Sequence, residues 1–231
     1  MHQDEQKALV AKAAVNLIMQ EVPQDEVIGI GTGSTVNFLI DALAEHAHHF
    51  RGVVSSSQAS TSRLLEKGFK VLDPSQVEEL MVYVDGADEI NPQGQMIKGG
   101  GGALTREKIV AAMSKRFICI CDASKEVAVL GKFPLPIEVI PLACHHIQKK
   151  LEREYGVKVQ LRHQKNDPSQ IFVTDNQAWI LDVHGFEIAD PKLIEQTLNQ
   201  IPGVICNGIF AMQSADTLII SDQENIRTIH F

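Results

Sequence analysis

The sequence predicts an α/β protein in which a parallel sheet flanked by helices, of the Rossmann-like kind, carries a smaller inserted α+β domain with ferredoxin-like order. Three observations support this prediction. Short apolar runs alternate with helical periodicity as far as residue 125, polar turns follow three of those runs, and the element order changes beyond the Gly- and Pro-containing segment at 131–136. The predicted domains are residues 1–132 plus 210–231, and residues 133–209.

The elements of the first domain follow from the periodicity of apolar residues. An amphipathic helix is predicted over residues 4–20, and Pro23 follows its end. Strands are predicted at 27–30, 52–55, 69–72, 81–84 and 117–121, and helices from the turn at 31–35 through about 47, at 60–67 and at 104–113. Because strands and helices alternate, the sheet should be parallel with helices on both faces.

The second domain has the order strand, helix, strand, strand, helix, strand, which is that of the split βαβ motif. Helices are predicted at 144–155 and 190–200, the latter capped by Asp190, and strands at 137–140, 157–161 and 204–209. A polar loop is predicted at 162–170, followed by a hairpin or one interrupted strand over 171–174 and 178–183. Strands at 217–221 and 226–230 are expected to return to the first sheet, which would make this domain an insertion.

Residues 82–108 contain a dense group of candidate catalytic and anion-binding residues. After an apolar run come three carboxylates, a lysine, four consecutive glycines and a glutamate on a helix: Asp85, Asp88, Glu89, Lys98, residues 99–102 and Glu107. Carboxylates at the end of a buried strand lie where open α/β sheets bind ligands, and the glycines expose backbone N–H groups to an anion. Although Asp-Gly could be only a turn, the combination predicts proton transfer on a charged small molecule.

A second informative turn is Gly-Thr-Gly-Ser-Thr at 31–35, between a strand and a helix. It matches neither the dinucleotide fingerprint nor the P-loop, so it predicts a binding site for a single phosphate. A tightly packed β–α turn with a Ser/Thr cap is the alternative left open. A third strand ends in Asp-Ala-Ser-Lys at 122–125, and all three turns should converge on one edge of the sheet.

Charge and composition narrow the classes of partner. The formal net charge of −8 argues against nucleic acid or an anionic membrane as a partner, and no apolar run is long enough to span a bilayer. The polar, acidic N-terminus is unlike a secretory signal, so a cytoplasmic protein with reduced cysteines is expected.

Two groups of residues raise the question of a metal. The histidines at 46, 48 and 49 end a predicted helix, where the helix dipole favours them, and the adjacent histidines at 145 and 146 point about 100° apart on a helix. Both groups are therefore interpreted as solvated surface. The cluster of Asp85, Asp88 and Glu89 could hold Mg²⁺. Lys98 favours a metal-free site, since it can supply the positive charge itself.

With these residues laid out, the chain resembles ribose-5-phosphate isomerases of the A type over nearly its whole length. The motifs that carry the resemblance are GIGTGST at 29–35, SSSQAST at 55–61, YVDGADEIN at 83–91, MIKGGGGALTREK at 96–108, DASK at 122–125, GKFPLPIEVIP at 131–141, VTDN at 173–176, LDVHG at 181–185 and IPGV at 201–204. Together these motifs are highly specific. Gly102 stands where alanine would be expected, and the loop at 162–170 is longer than expected; neither touches a catalytic position.

The resemblance implies interconversion of ribose 5-phosphate and ribulose 5-phosphate without a cofactor. It implies that Glu107 moves a proton between C1 and C2, that Asp85 and Asp88 handle the hydroxyl protons and ring opening, and that Lys98 stabilises the enediolate oxygen. The substrate-binding residues it implies are Thr32, Gly33, Ser34, Thr35, Asp85, Gly86, Ala87, Asp88, Lys98, Gly99, Gly100, Gly101, Lys125 and Lys7. Such proteins are usually homodimers or homotetramers.

Two other classes of function compete with this one. Sugar-phosphate-binding sensor domains resemble this fold and bind without turnover, but they usually accompany a basic helix-turn-helix segment that this sequence lacks. The four candidate catalytic residues also favour chemistry over binding alone. A nucleotide-dependent dehydrogenase would need the dinucleotide fingerprint, which is absent.

Overall fold

The computed structural model describes residues 3–222 and 225–231. The chain separates into two compact units, each built from more than one segment. We call Met1–Ala87, Arg106–Glu126 and Gln213–Phe231 the sheet unit, and Asp88–Thr105 with Val127–Met212 the inserted unit. These limits differ from the predicted domain boundaries chiefly at 88–105, which groups with the inserted unit.

The secondary structure alternates in the first half of the chain, as the apolar periodicity predicts. The helices of the described residues are α1 (Gln3–Glu21), α2 (Ser34–Leu43), α3 (Gln58–Glu66), α4 (Leu104–Ala112), α5 (Cys144–Tyr155) and α6 (Pro191–Asn199). The strands are β1 (Val27–Ile30), β2 (Gly52–Ser55), β3 (Tyr83–Asp85), β4 (Glu89–Ile90), β5 (Met96–Ile97), β6 (Phe117–Asp122), β7 (Leu135–Val139), β8 (Lys158–Leu161), β9 (Trp179–His184), β10 (Val204–Asn207), β11 (Ile209–Phe210), β12 (Thr217–Asp222) and β13 (Asn225–His230).

The sheet unit is built on six strands in the order β13-β12-β6-β3-β1-β2. All neighbouring pairs are parallel except β12 and β13, which are antiparallel. The two C-terminal strands therefore return to the first sheet, as predicted. The predicted α/β fold with a mostly parallel sheet is confirmed.

Helices cover both faces of this sheet because side chains alternate along each strand. Ile28 and Ile30 of β1 point into a core shared with apolar residues of α1 and α2. Gly29, between them, faces the opposite side, where a Cβ would lie 2.7 Å from Cγ1 of Val110 in α4. The absence of a side chain at Gly29 lets α4 approach the sheet closely.

The inserted unit contains the predicted strand–helix–strand–strand–helix–strand order, from β7 through β10. Its four strands form an antiparallel sheet in the order β10-β7-β9-β8, which is the ferredoxin-like arrangement. One apolar core joins this sheet to α5 and α6 through residues such as Ile137, Ile147 and Leu198. A second, three-stranded sheet has the order β11-β5-β4.

Several predicted strands are shorter than expected. Residues 69–72 form only one bridge, between Val71 and Val53, and a 3-10 turn at Pro74–Gln76 that Asp73 caps follows them. Residues 171–174 make isolated bridges at Ile171 and Val173 rather than a strand. The strand predicted at 204–209 is divided into β10 and β11, and the second helix tightens into a 3-10 turn at Ala44–His49.

Candidate active site

Three of the predicted turns lie on one edge of the sheet unit. Strands β6, β3 and β1 are adjacent and parallel, so the segments that follow them emerge at the same C-terminal edge. These segments begin with Ala123, Gly86 and Gly31. The predicted convergence of the turns is therefore confirmed within this unit.

Asp85 is fixed at this edge by three donors. Its Oδ1 accepts hydrogen bonds from the backbone N–H of Thr32 at 3.0 Å and of Gly86 at 2.7 Å, and its Oδ2 accepts one from the Tyr83 hydroxyl. Asp85 and Tyr83 have no exposed surface. A Cβ on Gly31 would lie 2.0 Å from Cγ of Asp85, so only glycine allows the turn to approach this carboxylate.

Tyr83 is a site residue that the sequence interpretation missed. Burial raises its pKa well above the usual value, and the carboxylates of Asp85 and Glu107 raise it further. The hydroxyl therefore stays protonated at neutral pH and donates to Asp85. Tyr83 and Asp85 are two residues apart on one strand and share a face, which is the signal that could have identified it.

We expect the change Tyr83→Phe to lower the free energy of unfolding by about 1–3 kcal/mol, because it removes a donor from a fully buried carboxylate. Urea denaturation measures this loss. The matched control is Tyr155→Phe, since the Tyr155 hydroxyl makes no hydrogen bond among the described residues. Equal stability of the Tyr83 variant and the unmodified protein would show that this hydrogen bond contributes nothing.

The turn at 31–35 has mixed roles. The Thr32 amide is used by Asp85, and its hydroxyl lies 2.8 Å from the Ser56 hydroxyl. Helix α2 begins after Gly33, whose φ of 121° suits glycine, and no side chain caps the helix. The Ser/Thr-capped turn left open by the sequence therefore does not occur. The first amides of α2, at Ser34 and Thr35, are placed as in sites that bind anions.

The serines after β2 are structural. The Ser57 side chain caps α3 by accepting from the Ser60 N–H at 3.1 Å. The Ser60 hydroxyl donates to the Gly31 carbonyl at 2.7 Å, which ties α3 to the turn beside Asp85. Serine-rich helix starts often serve as caps, and this one does so.

The glycine run belongs to the inserted unit and binds the second aspartate. The Gly100 N–H donates to Oδ2 of Asp88 at 2.7 Å, and a Cβ on Gly100 would lie 2.6 Å from Oδ1. Lys98 directly precedes the run and is only 3% exposed, with its Nζ 5.5 Å from the centre of the Phe210 ring. The loop thus combines a buried cation with a carboxylate held by a backbone amide.

The backbone conformation and the packing at position 102 explain why glycine stands there instead of the expected alanine. Its φ is +86°, a conformation that residues with a Cβ rarely adopt. A Cβ at this position would also lie 2.4 Å from Cζ of Phe172. Phe172 follows the long loop at 162–170, so the two departures from the family pattern occur together.

Glu89, the third carboxylate of the predicted cluster, has a different role. Its side chain accepts from the backbone N–H of Gly131 at 2.8 Å and of Phe133 at 2.5 Å. Asp88, in contrast, accepts from Gly100, so the two neighbouring carboxylates are held by different segments. Glu89 holds the segment that leads into β7 and does not extend an acidic cluster.

The remaining predicted site residues lie on elements of the sheet unit. Glu107 stands in the first turn of α4, is 3% exposed and is close enough to Tyr83 to raise its pKa. Lys125 ends the 3-10 turn at Ala123–Lys125, which Asp122 caps. Lys7 lies on α1 and pairs with Asp4 at 3.3 Å, within its own helix.

The described part of the chain contains neither a metal-binding cluster nor a membrane-spanning helix. No group of three or more His, Cys, Asp and Glu residues within 3–222 and 225–231 is arranged to hold a metal ion. Within the same ranges, no helix has the length and apolar character needed to cross a membrane.

Comparison with known families gives a match over most of the chain. The family model described as ribose 5-phosphate isomerase A (phosphoriboisomerase A) matches residues 52–225. Ribose-5-phosphate isomerase A of Polynucleobacter asymbioticus is 54% identical over 236 residues, covering 99% of each chain. The protein of the same name from Polynucleobacter necessarius is 53% identical over 238 residues and covers both chains fully.

Solved structures agree with these relatives. Ribose 5-phosphate isomerase A from Neisseria gonorrhoeae is 44% identical with a TM-score of 0.91, covering 99% of this chain and 97% of that one. A D-ribose-5-phosphate isomerase in complex with phospho-erythronic acid is 37% identical with a TM-score of 0.91, and each chain is covered fully.

Proposed function

The chain belongs to the ribose 5-phosphate isomerase A family, and on this premise we propose that it interconverts D-ribose 5-phosphate and D-ribulose 5-phosphate through an enediolate, with Glu107 as the base. The observation that carries the proposal is the burial of Glu107 in the first turn of α4, where its charge acts on the same tyrosine hydroxyl that holds Asp85. Two buried carboxylates that both raise the pKa of one tyrosine hydroxyl support acid–base chemistry.

The reaction needs three functions, and residues for each are proposed. Glu107 removes the proton from C2 of the open-chain aldose and returns it to C1. Asp85 and Asp88 transfer the hydroxyl protons and assist ring opening, since backbone N–H donors hold both as acceptors. Lys98 stabilises the negative charge that develops on the enediolate oxygen, as an oxyanion site requires.

Substrate contacts are proposed for a larger set of residues. They comprise the turn before α2 with the start of that helix, the end of β3 with the segment after it, the glycine run and three lysines, namely Thr32, Gly33, Ser34, Thr35, Asp85, Gly86, Ala87, Asp88, Lys98, Gly99, Gly100, Gly101, Lys125 and Lys7. The Gly100 amide already donates to Asp88, so we assign it to positioning that carboxylate. The Thr32 amide serves Asp85 in the same way.

The phosphate of the substrate is proposed to bind at α2 and Lys125. We expect Ser34→Ala, Thr35→Ala and Lys125→Ala each to weaken binding about ten- to a hundredfold, because each loses a charge-assisted hydrogen bond. Titration with inorganic phosphate and with ribose 5-phosphate measures the change. Ser62→Ala is the matched control, since its exposed hydroxyl only bonds the carbonyl of Gln58 on α3. Unchanged affinity in all three variants would make the turn at 31–35 purely structural.

The proposed activity is tested by following ketose formation from ribose 5-phosphate by absorbance, with no cofactor added. We expect the same rate after exhaustive chelation, because Lys98 and backbone amides supply the positive charge that the oxyanion needs. Absence of turnover, with retained binding of the sugar phosphate, would instead support a sensor function. Loss of activity on chelation, restored by Mg²⁺ or Zn²⁺, would assign Asp85 and Asp88 to a metal.

Three further features of the protein are proposed. The activity places it in the non-oxidative branch of the pentose phosphate pathway, acting on a small sugar phosphate and on neither nucleic acid nor membrane. A cytoplasmic location is proposed because all four cysteines are free, as is usual in a reducing compartment. By analogy with the family, we expect a homodimer or homotetramer, and light scattering coupled to size-exclusion chromatography distinguishes the two.

A further inference from the structure

Arg162 makes an unusual set of contacts within the inserted unit. Its Nε and Nη2 donate to the two carboxylate oxygens of Asp182, at 2.8 and 2.5 Å. Its Nη1 donates to the carbonyl oxygens of Gly99 at 3.0 Å and Gly100 at 3.3 Å. The side chains of Arg162 and Asp182 are only 14% and 18% exposed. One guanidinium thus joins a carboxylate of β9 to two consecutive peptides of the glycine run.

The guanidinium is itself held in place. The Arg162 backbone is tied on both sides, through its N–H to the Ile180 carbonyl at 2.8 Å and through its carbonyl to the Phe172 N–H at 2.9 Å. The Phe172 ring lies 5.7 Å from the guanidinium carbon and packs against Gly102. Because an arginine fork bonded to a carboxylate at both ends has a fixed orientation, the two carbonyls it binds are fixed as well.

The orientation of these carbonyls determines where the following amides point. In a trans peptide the C=O and the next N–H point to opposite sides of the chain. Because the Gly99 carbonyl accepts from Arg162, the Gly100 N–H points away from the guanidinium. On that side the Gly100 N–H donates to Asp88 at 2.7 Å. With the Gly100 carbonyl on Arg162, the Gly101 N–H likewise points away. No described residue accepts from the Gly101 N–H.

We propose that Arg162, oriented by Asp182, is a positioning residue that sets these two peptides so that Gly100 holds the Asp88 carboxylate and Gly101 presents its N–H to the substrate. This inference rests on the proposed isomerase function, in which Asp88 and the glycine amides take part. The four glycines have no side chains, and the run is closed internally by one turn, in which the Gly102 N–H donates to the Gly99 carbonyl at 2.9 Å. Arg162 supplies the constraint from outside the run.

The test compares Arg162→Ala, Arg162→Lys and Asp182→Asn with the unmodified protein on ribose 5-phosphate. We expect kcat to fall about a hundredfold in Arg162→Ala, as for a small misplacement of catalytic groups, while KM changes much less. The kcat of Arg162→Lys, whose side chain has no planar fork, should lie between those of Arg162→Ala and the unmodified protein. The kcat of Asp182→Asn should be similar to that of Arg162→Lys. Arg153→Ala is the control, because this arginine is exposed on α5 of the same unit.

Two further readouts separate positioning from general loss of structure. Millimolar guanidinium should restore part of kcat in Arg162→Ala and should leave Arg153→Ala unchanged. Hydrogen–deuterium exchange of the segment 98–104 should become faster in Arg162→Ala, with the rest of the inserted unit little changed. If Arg162→Ala does not fold, Arg162→Lys provides the same exchange and kcat comparison.

The outcomes are distinct. An unchanged kcat in Arg162→Ala, or a fall in kcat without faster exchange at 98–104, would overturn the positioning role while leaving the isomerase function intact. An unmodified protein that does not convert ribose 5-phosphate would contradict the proposed function instead, and the exchange experiment would still decide whether Arg162 orders the glycine run.

Discussion

A Glu107→Gln variant is expected to convert ribose 5-phosphate with kcat lowered by about 10²–10⁴ and KM little changed. The amide has nearly the shape of the carboxylate but cannot accept a proton at neutral pH. Since Glu107 is almost fully buried in the first turn of α4, no solvent base can easily replace it. Steady-state kinetics on the purified variant measure the effect.

The appropriate control is Glu66→Gln, which makes the same chemical change at an exposed position on α3. This variant should keep the kinetics of the unmodified protein. Near-normal turnover in Glu107→Gln would move the base to another carboxylate, with Asp85 and Asp88 the next candidates.

The second large effect is expected at Gly31. In Gly31→Ala the new methyl group would occupy the space of the Asp85 carboxyl group, with Cβ 2.0 Å from Cγ and 2.1 Å from Oδ1. Asp85 cannot move aside without losing its bonds to Thr32, Gly86 and Tyr83. We therefore expect a loss of about 3 kcal/mol in the free energy of unfolding and about a hundredfold in kcat.

Gly86→Ala provides the matched control for stability. A Cβ at Gly86 would meet only the Ile120 carbonyl oxygen, at 3.7 Å, which is an ordinary contact. Urea denaturation should therefore show a much smaller loss for this variant than for Gly31→Ala. Equal stability of the two variants would mean that the turn at 31–35 yields readily and does not fix Asp85.

Much of the fold could be predicted from the sequence because its signals are local. Strands such as β1 and β6 are short buried apolar runs, and polar turns mark their ends. The split βαβ order of the inserted unit follows from the same periodicity. Residues 69–72 look similar but form only one bridge, because pairing along the whole length of an apolar run depends on the strand that lies beside it in space.

The candidate site could be predicted less completely, because residues that are neighbours in sequence can direct their side chains to different partners. Asp88 and Glu89 are neighbours in sequence, yet one accepts from Gly100 and the other from Gly131 and Phe133. Arg162 lies in a loop that has no apolar periodicity, and the carbonyl it contacts is 62 positions earlier in the chain. No sequence signal therefore indicates that contact. Tyr83, two residues before Asp85, could have been identified from strand alternation.

The fate of the hydrogen at C2 tests the enediolate mechanism most directly. In this mechanism Glu107 takes that hydrogen as a proton, and a carboxylic acid exchanges its proton with solvent before the proton returns to C1. Turnover of ribose 5-phosphate in D₂O should therefore yield ribulose 5-phosphate with deuterium at C1, detected by proton NMR. Ketose that carries only hydrogen from the substrate at C1, together with an undiminished rate and isotope effect on C2-deuterated substrate in Glu107→Gln, would contradict this account and indicate direct transfer between the two carbons.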